Sequence, residues 1–223
     1  MIMMTGKEYK AVVFDMDGVI FDSENCILQC WLELAKKYGI EDIEKNFRAC
    51  TGTTAAKTRE IMLEAYGVDF PYDAFTKEAS WAFHEKYDDG RLPVKVGVEE
   101  LLKYLKNEGK IIALASSTRK QAVERELEDA GLLCYFDALV TGDMVTKSKP
   151  DPEIYLLACE RIGVNPEDAY AIEDSYNGIR SAQAGGLRPI MVPDLLDPNE
   201  EMIGLSEVVL NNLLEVKTYL TGE

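Results

Sequence analysis

The sequence predicts an α/β fold: an open parallel sheet with helices on both faces, interrupted near its start by an inserted α-helical cap. Three observations carry this. Short, wholly apolar runs recur along the chain, as buried parallel strands do. Amphipathic stretches with apolar residues at helical spacing lie between them. The segment 23–88, directly after the first run, holds helical patterns and no convincing strand.

The first strand is AVVF at 11–14, ending on Asp15. Further strands are expected at 111–115, 138–140, 169–172 and 189–192, and helices at 98–106, 119–130, 153–162 and 176–184. Strands alternating with helices give βαβ units, hence a Rossmann-like parallel core. Within 23–88, Ser23 can cap a first helix running through Leu28, Trp31 and Ala35, and Gly39 ends it. A second helix fits 55–66, closed by Gly67, and a third fits 72–87. Asp88-Asp89-Gly90 reads as the return linker. The expected division is therefore a core domain of 1–22 and 89–223 and a helical cap of 23–88. Trp31 and Trp81 read as fillers of the cap's interior, and 211–223 as a solvated closing helix.

Composition narrows the class. The chain has 223 residues, 47% of them apolar and 29% charged, which suits a folded globular protein. Forty acidic against 24 basic residues give a net charge of −16. That field repels a polyanion such as nucleic acid, and an anionic small molecule needs a local cation to enter. The five cysteines form no C-x-x-C pair, which reads as a reducing, cytoplasmic setting. No apolar signal region occupies 1–10, and no run is long enough to span a membrane. A monomer is a plausible state for such a chain.

Ligands of an open parallel sheet bind at the carboxyl ends of its strands. Polar groups gather at those places. Asp15-Met16-Asp17-Gly18 follows the first strand, Ser116-Ser117-Thr118 the second, Lys149-Pro150 the third, and Glu173-Asp174 the fourth. Singly, each has a bland reading. D-x-D-G occurs in turns and calcium loops, though position 12 of such a loop would be Cys26. The hydroxyl run can cap a helix, Lys149 can be solvated, and an acidic pair suits a helix N-terminus. Together, in this order, they match what phosphoryl transfer from an ester requires. A carboxylate nucleophile splits the reaction in two, and a second acid protonates the departing oxygen. Magnesium prefers hard carboxylate oxygens, and a lysine and hydroxyls can neutralise and orient the phosphoryl group.

These residues resemble the haloacid dehalogenase superfamily. FDMDGVIFDSE at 14–24 matches its first motif, Ser116 in IIALASST its second, Lys149 in KSKPDP its third, and IEDSYNGIRSAQAGG at 172–186 its fourth. The helical insertion looks like the cap of its first subclass, nearest the β-phosphoglucomutase-like phosphatases. The resemblance implies Asp15 as nucleophile and magnesium ligand, and Asp17 as acid/base with its backbone carbonyl a further ligand. It implies Asp174 and, close behind, Glu173 as metal ligands, with Ser116, Ser117 and Lys149 holding the phosphoryl group. A small phosphorylated metabolite, such as a sugar phosphate, is the implied substrate.

A mutase of that branch would carry a histidine where Ile27 stands and an arginine near Ala55, so hydrolysis is the expected reaction. Arg48, Lys57 and Arg59 lie near enough to replace that arginine. His84, the one histidine, reads as a packing or surface residue. Two readings of other classes stay open at this point: a phospho-acceptor signalling module, and a cap that closes on a ligand without reaction.

Overall fold

The computed structural model describes residues 8–51 and 55–222. The loop 52–54 and the side chain of Ala55, which bear on the mutase pattern, lie outside the described residues, as do 1–7 of the N-terminal segment. In chain order the elements are β1 (Ala11–Phe14), α1 (Ser23–Tyr38), α2 (Ile43–Cys50), α3 (Ala55–Tyr66), α4 (Tyr72–Tyr87) and α5 (Val98–Asn107). There follow β2 (Ile111–Ser116), α6 (Lys120–Asp129), β3 (Ala138–Thr141), α7 (Glu153–Ile162), β4 (Ala169–Glu173) and α8 (Tyr176–Ala184). β5 (Arg188–Met191), α9 (Glu200–Leu205), β6 (Val208–Val209) and α10 (Leu213–Thr221) close the chain.

The six strands form one parallel sheet in the order β3-β2-β1-β4-β5-β6. The chain steps from β1 outward to β3, then crosses back to lay β4 on the other side of β1. That reversal opens a crevice at the carboxyl ends of β1 and β4, where ligands of such sheets bind. Side chains alternate across the sheet. Val12 and Phe14 join Leu101, Leu105, Val123 and Leu127 in one core layer. Ala11 and Val13 join Ala113, Ala171, Tyr155 and Ala158 in the other. The alanines on this second face let α7 lie close to the strands, and every residue of β1 is fully buried.

Helices α1–α4 share a separate interior. Trp31 sits edge-on to Phe47 at 4.9 Å and to Phe75 at 5.1 Å, with Leu34 and Met62 around them. The insertion holds four described helices where the sequence reading expected three. The additional α2 buries Ile43, Phe47 and Cys50 at helical spacing. Gly39 ends α1 in the left-handed conformation (φ 64°), as expected. Ser23 does not cap α1: Asp22 holds that position, and the Ser23 hydroxyl points elsewhere. Trp81 is 64% exposed, so it fills no interior. The closing helix is not solvated either, because α10 buries Leu213 and Val216 in the main core against α5. The edge strand β6 was not expected.

Candidate active site

Asp15 leaves the end of β1 with 8% of its surface exposed, its N–H held by the Ile172 carbonyl at 3.0 Å. Lys149 Nζ reaches it from the loop after β3, donating to Asp15 Oδ1 at 2.6 Å, to Glu173 Oε1 at 2.5 Å and to the Ala115 carbonyl at 3.0 Å. Glu173, the last residue of β4, is fully buried. Its Oε1 also accepts from Tyr155 Oη at 2.7 Å, and its Oε2 from Ser175 Oγ at 3.1 Å. Asp174 is 6% exposed and its carboxylate accepts no hydrogen bond from the described residues.

Carboxylate oxygens of Asp15, Glu173 and Asp174 come within 4.8 Å of one another. Three acids thus face one ammonium in a buried space. Burial pushes the Asp15 carboxyl up to about 8, Lys149 pulling against it while Glu173 and Asp17 add to it. Burial, then Glu173 and Asp15, hold Asp174 well above the usual carboxylate range. For Lys149 burial acts downward, but Asp15 and Glu173 outweigh it and its pKa is raised. Ionising all three acids leaves two negative charges without a partner, in a cluster of hard oxygen donors. That arrangement fits a divalent cation.

Two glycines make the packing possible. A β-carbon on Gly18 (φ +76°) would stand 2.3 Å from Asp174 Oδ2. One on Gly178, in α8, would stand 1.9 Å from the Glu173 carboxyl carbon. Asp17 is not one of the three clustered acids, though its charge still reaches Asp15. Asp17 Oδ1 accepts from Ser23 Oγ at 2.7 Å, and Oδ2 from Thr118 Oγ1 at 2.9 Å. Asp17 so held lines a cavity of about 430 Å³ between the sheet edge and the helical insertion. The two aspartates of one strand end therefore face different surroundings: Asp15 the acidic cluster, Asp17 the cavity.

Of the other residues singled out in the sequence, Ser116 is fully buried at the end of β2, and its Oγ accepts the Thr118 N–H at 3.1 Å. Ser117 is exposed and lines a separate hollow of about 170 Å³ beside Lys149. Ile27 lines the larger cavity. Arg48 is turned to the Leu195 carbonyl and Glu44, Lys57 pairs with Glu60, and Arg59 with Asp73. His84 lines the cavity, its Nδ1 2.9 Å from Asp88 Oδ1. Sequence reasoning missed Ser23 and Thr118 as partners of Asp17, and Tyr155 and Ser175 as partners of Glu173.

Known proteins resemble this chain closely. The haloacid dehalogenase-like hydrolase family model matches residues 9–186. A phosphorylated carbohydrates phosphatase of Thermotoga maritima is 36% identical over 81% of this chain and 83% of its own. Hexitol phosphatase B of Escherichia coli is 28% identical over 96% of this chain and 97% of its own. The crystal structure of CbbY from Rhodobacter sphaeroides with phosphate superposes with a TM-score of 0.73 at 29% identity, covering 93% and 96% of the two chains. A β-phosphoglucomutase from Clostridium difficile, at 24% identity and a TM-score of 0.73 over 96% and 95%, shares the fold. With the match running through all four strand ends described above, the chain belongs to the haloacid dehalogenase-like hydrolases, on their β-phosphoglucomutase-like branch.

Proposed function

We propose that this phosphoric monoester hydrolase releases phosphate from a small sugar or polyol phosphate through a phosphorylated Asp15, with Mg²⁺ as its metal. The observation that carries the reading is the division between Asp15 and Asp17. One carboxylate stands buried against Lys149, and the other, held by Ser23 and Thr118, lines a cavity able to hold an organic leaving group.

Asp15 and Asp174, with Glu173 beside them, are the residues that would hold the metal, which neutralises phosphate charge and so lets an anionic nucleophile approach. A carboxylate oxygen of Asp15 attacks phosphorus while the ester P–O bond breaks, and Asp17 gives its proton to the departing alkoxide. Asp17 then takes a proton from water, whose oxygen attacks phosphorus and frees Asp15 and inorganic phosphate. Ser23 and Thr118 fix both oxygens of Asp17 for these transfers. The Ser116 hydroxyl, whose oxygen already accepts from Thr118 N–H, keeps its own hydrogen for the phosphoryl group. Glu173 is fully occupied by Lys149, Tyr155 and Ser175, so its main part is to hold Lys149 in place.

The helices of 23–88 act as a cap that closes over the ester and keeps bulk water from it. Ile27 puts an apolar side chain into the cavity where a mutase would need a group for a second phosphate, which supports hydrolysis. Among the described residues no helix is long and apolar enough to cross a membrane.

The test is phosphate release from a panel of sugar and polyol phosphates with and without magnesium, beside the Asp15→Asn variant. Loss of at least about 10³-fold in that variant is expected, as for removal of a covalent nucleophile. Mass spectrometry of acid-quenched enzyme should find phosphate on Asp15. An Asp15→Asn variant at full activity would end the covalent mechanism. A long-lived phosphorylated Asp15 with little turnover would favour a signalling module instead.

A further inference from the structure

Two helical stripes face each other across the 430 Å³ cavity. On α4, Thr76, Ser80 and His84 recur every four residues. On the core side Arg119, Ala122 and Glu126 recur at three and four, along α6 and the residue before it. Residues at these spacings share one helix face. Ile27, Trp31 and Phe83 supply an apolar wall between them.

Glu126 stands out in this lining. Its side chain is 14% exposed, and its carboxylate accepts no hydrogen bond from the described residues. The nearest cation, Arg125 Nη2, lies 3.8 Å away and instead donates to Asp88 Oδ1 at 3.2 Å. Burial, with Asp17 near, pushes the Glu126 carboxyl up to about 7. A shielded acceptor without a donor is unfavourable unless water or a ligand supplies one. Glu126 lines the cavity that Asp17 also lines, and on its other side a hollow of about 10 Å³ beside Asp88 and Arg125 that is too small for a ligand.

We propose that Glu126 recognises the leaving half of the substrate, accepting hydrogen bonds from hydroxyls of a sugar or polyol chain and disfavouring a second phosphate there. The inference rests on the reading of Asp15 and Asp17 given above. The cavity is large enough for a small polyhydroxylated chain. Its apolar wall suits the carbon face of such a chain. Ser80 adds a hydroxyl to the lining, and Thr76, whose hydrogen goes to the Tyr72 carbonyl at 3.0 Å, adds an acceptor oxygen. Charge works against a second phosphate: Asp17 and Glu126 are both acidic, and Arg119 is the one permanent cation among the described lining residues. No family motif named in the sequence includes Glu126. It lies ten residues past Ser116, inside the helix that follows.

The test compares the unmodified enzyme with Glu126→Leu and Glu126→Gln on a hexitol monophosphate, a hexose bisphosphate and phenyl phosphate. Leucine should raise KM for the hexitol ester by at least about tenfold, and clearly more than for phenyl phosphate, which offers no hydroxyl. Glutamine keeps an acceptor oxygen, so it should retain most of the hexitol affinity. Assayed at pH 8 or above, where the parent carboxyl is ionised, it should also narrow the gap between monophosphate and bisphosphate by about tenfold. Equal losses on the hexitol and phenyl esters, or an unchanged hexitol KM in Glu126→Leu, would overturn the proposal. Calorimetric titration with the hexitol ester separates this from the reaction itself. If no ester is hydrolysed, the hydrolase mechanism falls alone. A dissociation constant weakened by leucine then still supports Glu126, and an equal one, or no binding to the unmodified enzyme, sinks it.

Discussion

Glu173 is a carboxylate with no exposed surface, and it is tolerated there because Lys149, Tyr155 and Ser175 all donate to it. The remaining side is closed by α8 at Gly178. Alanine at that position would gain up to about 1 kcal/mol of helix propensity. Its β-carbon would also sit 1.9 Å from the Glu173 carboxyl, a clash that neither fully packed partner can yield to cheaply. Overpacking costs typically about 1–3 kcal/mol, so the clash outweighs the propensity. Gly178→Ala should lower the urea midpoint and, by shifting Lys149, reduce kcat more than it raises KM. A variant more stable than the parent would contradict the packing argument. Asp15, Glu173 and Asp174 are legible in the sequence because they sit at the ends of apolar runs that form buried parallel strands, and Lys149 because it lies in the loop eight residues past β3. Ser23 is not: a serine ahead of a helical pattern reads as a cap, and its true partner lies back across the Gly18 turn. Tyr155 is silent for another reason. Its partner is 18 residues away, and no local pattern marks a tyrosine that meets a buried glutamate.

Elements were legible where their apolar pattern was long and local, and misjudged where a neighbour decided. The acidic, polar ending of the chain suggests a solvated helix. Yet Leu213, Val216, Tyr219 and Leu220 form one stripe, and α10 lays it on α5. Contact is close enough that a β-carbon on Gly97 (φ +89°) would meet the Leu214 nitrogen at 2.6 Å. Leu213 is 1% exposed. Leu213→Ala should therefore cost about 2–5 kcal/mol, as buried leucines do, with kcat per folded molecule unchanged. A loss below about 0.5 kcal/mol in urea denaturation would restore the solvated reading. The same logic explains Trp81. It lies two residues beyond Ala79, on the far side of α4 from the buried Phe75 and Ala79, so its size gained it no interior place. The two-residue β6 and the eight-residue α2 are too short for periodicity to announce them.

For the whole molecule, the net charge of −16 and the buried acids act in the same direction. A carboxyl whose pKa is raised by folding binds its proton more tightly in the native state than in the unfolded chain. That contribution is complete below the unfolded value near 4 and is lost as pH climbs through the raised one. Asp15 is raised to about 8, Glu24 and Glu126 to about 7, each chiefly by burial, and Asp174 moves the same way. Metal-free protein should therefore lose stability between about pH 4 and pH 8, where most folded domains hold steady. The loss is on the order of a few kcal/mol, so the melting temperature of chelator-treated protein should fall by at least about 5 °C from pH 5.5 to pH 8. A divalent cation would reverse the sign of the local problem, because ionised Asp15 and Asp174, with Glu173 beside them, would hold it, and only in the folded state. Magnesium should recover most of the loss at pH 8 and little at pH 5.5. General self-repulsion of an acidic chain would produce some of the fall without any metal site. The double variant Asp15→Asn, Asp174→Asn separates the two: its pH dependence should flatten and its response to magnesium should vanish. A magnesium response that survives in that variant would place the cation away from the strand ends, and a chelated parent that gains stability toward pH 8 would overturn the argument from the buried acids.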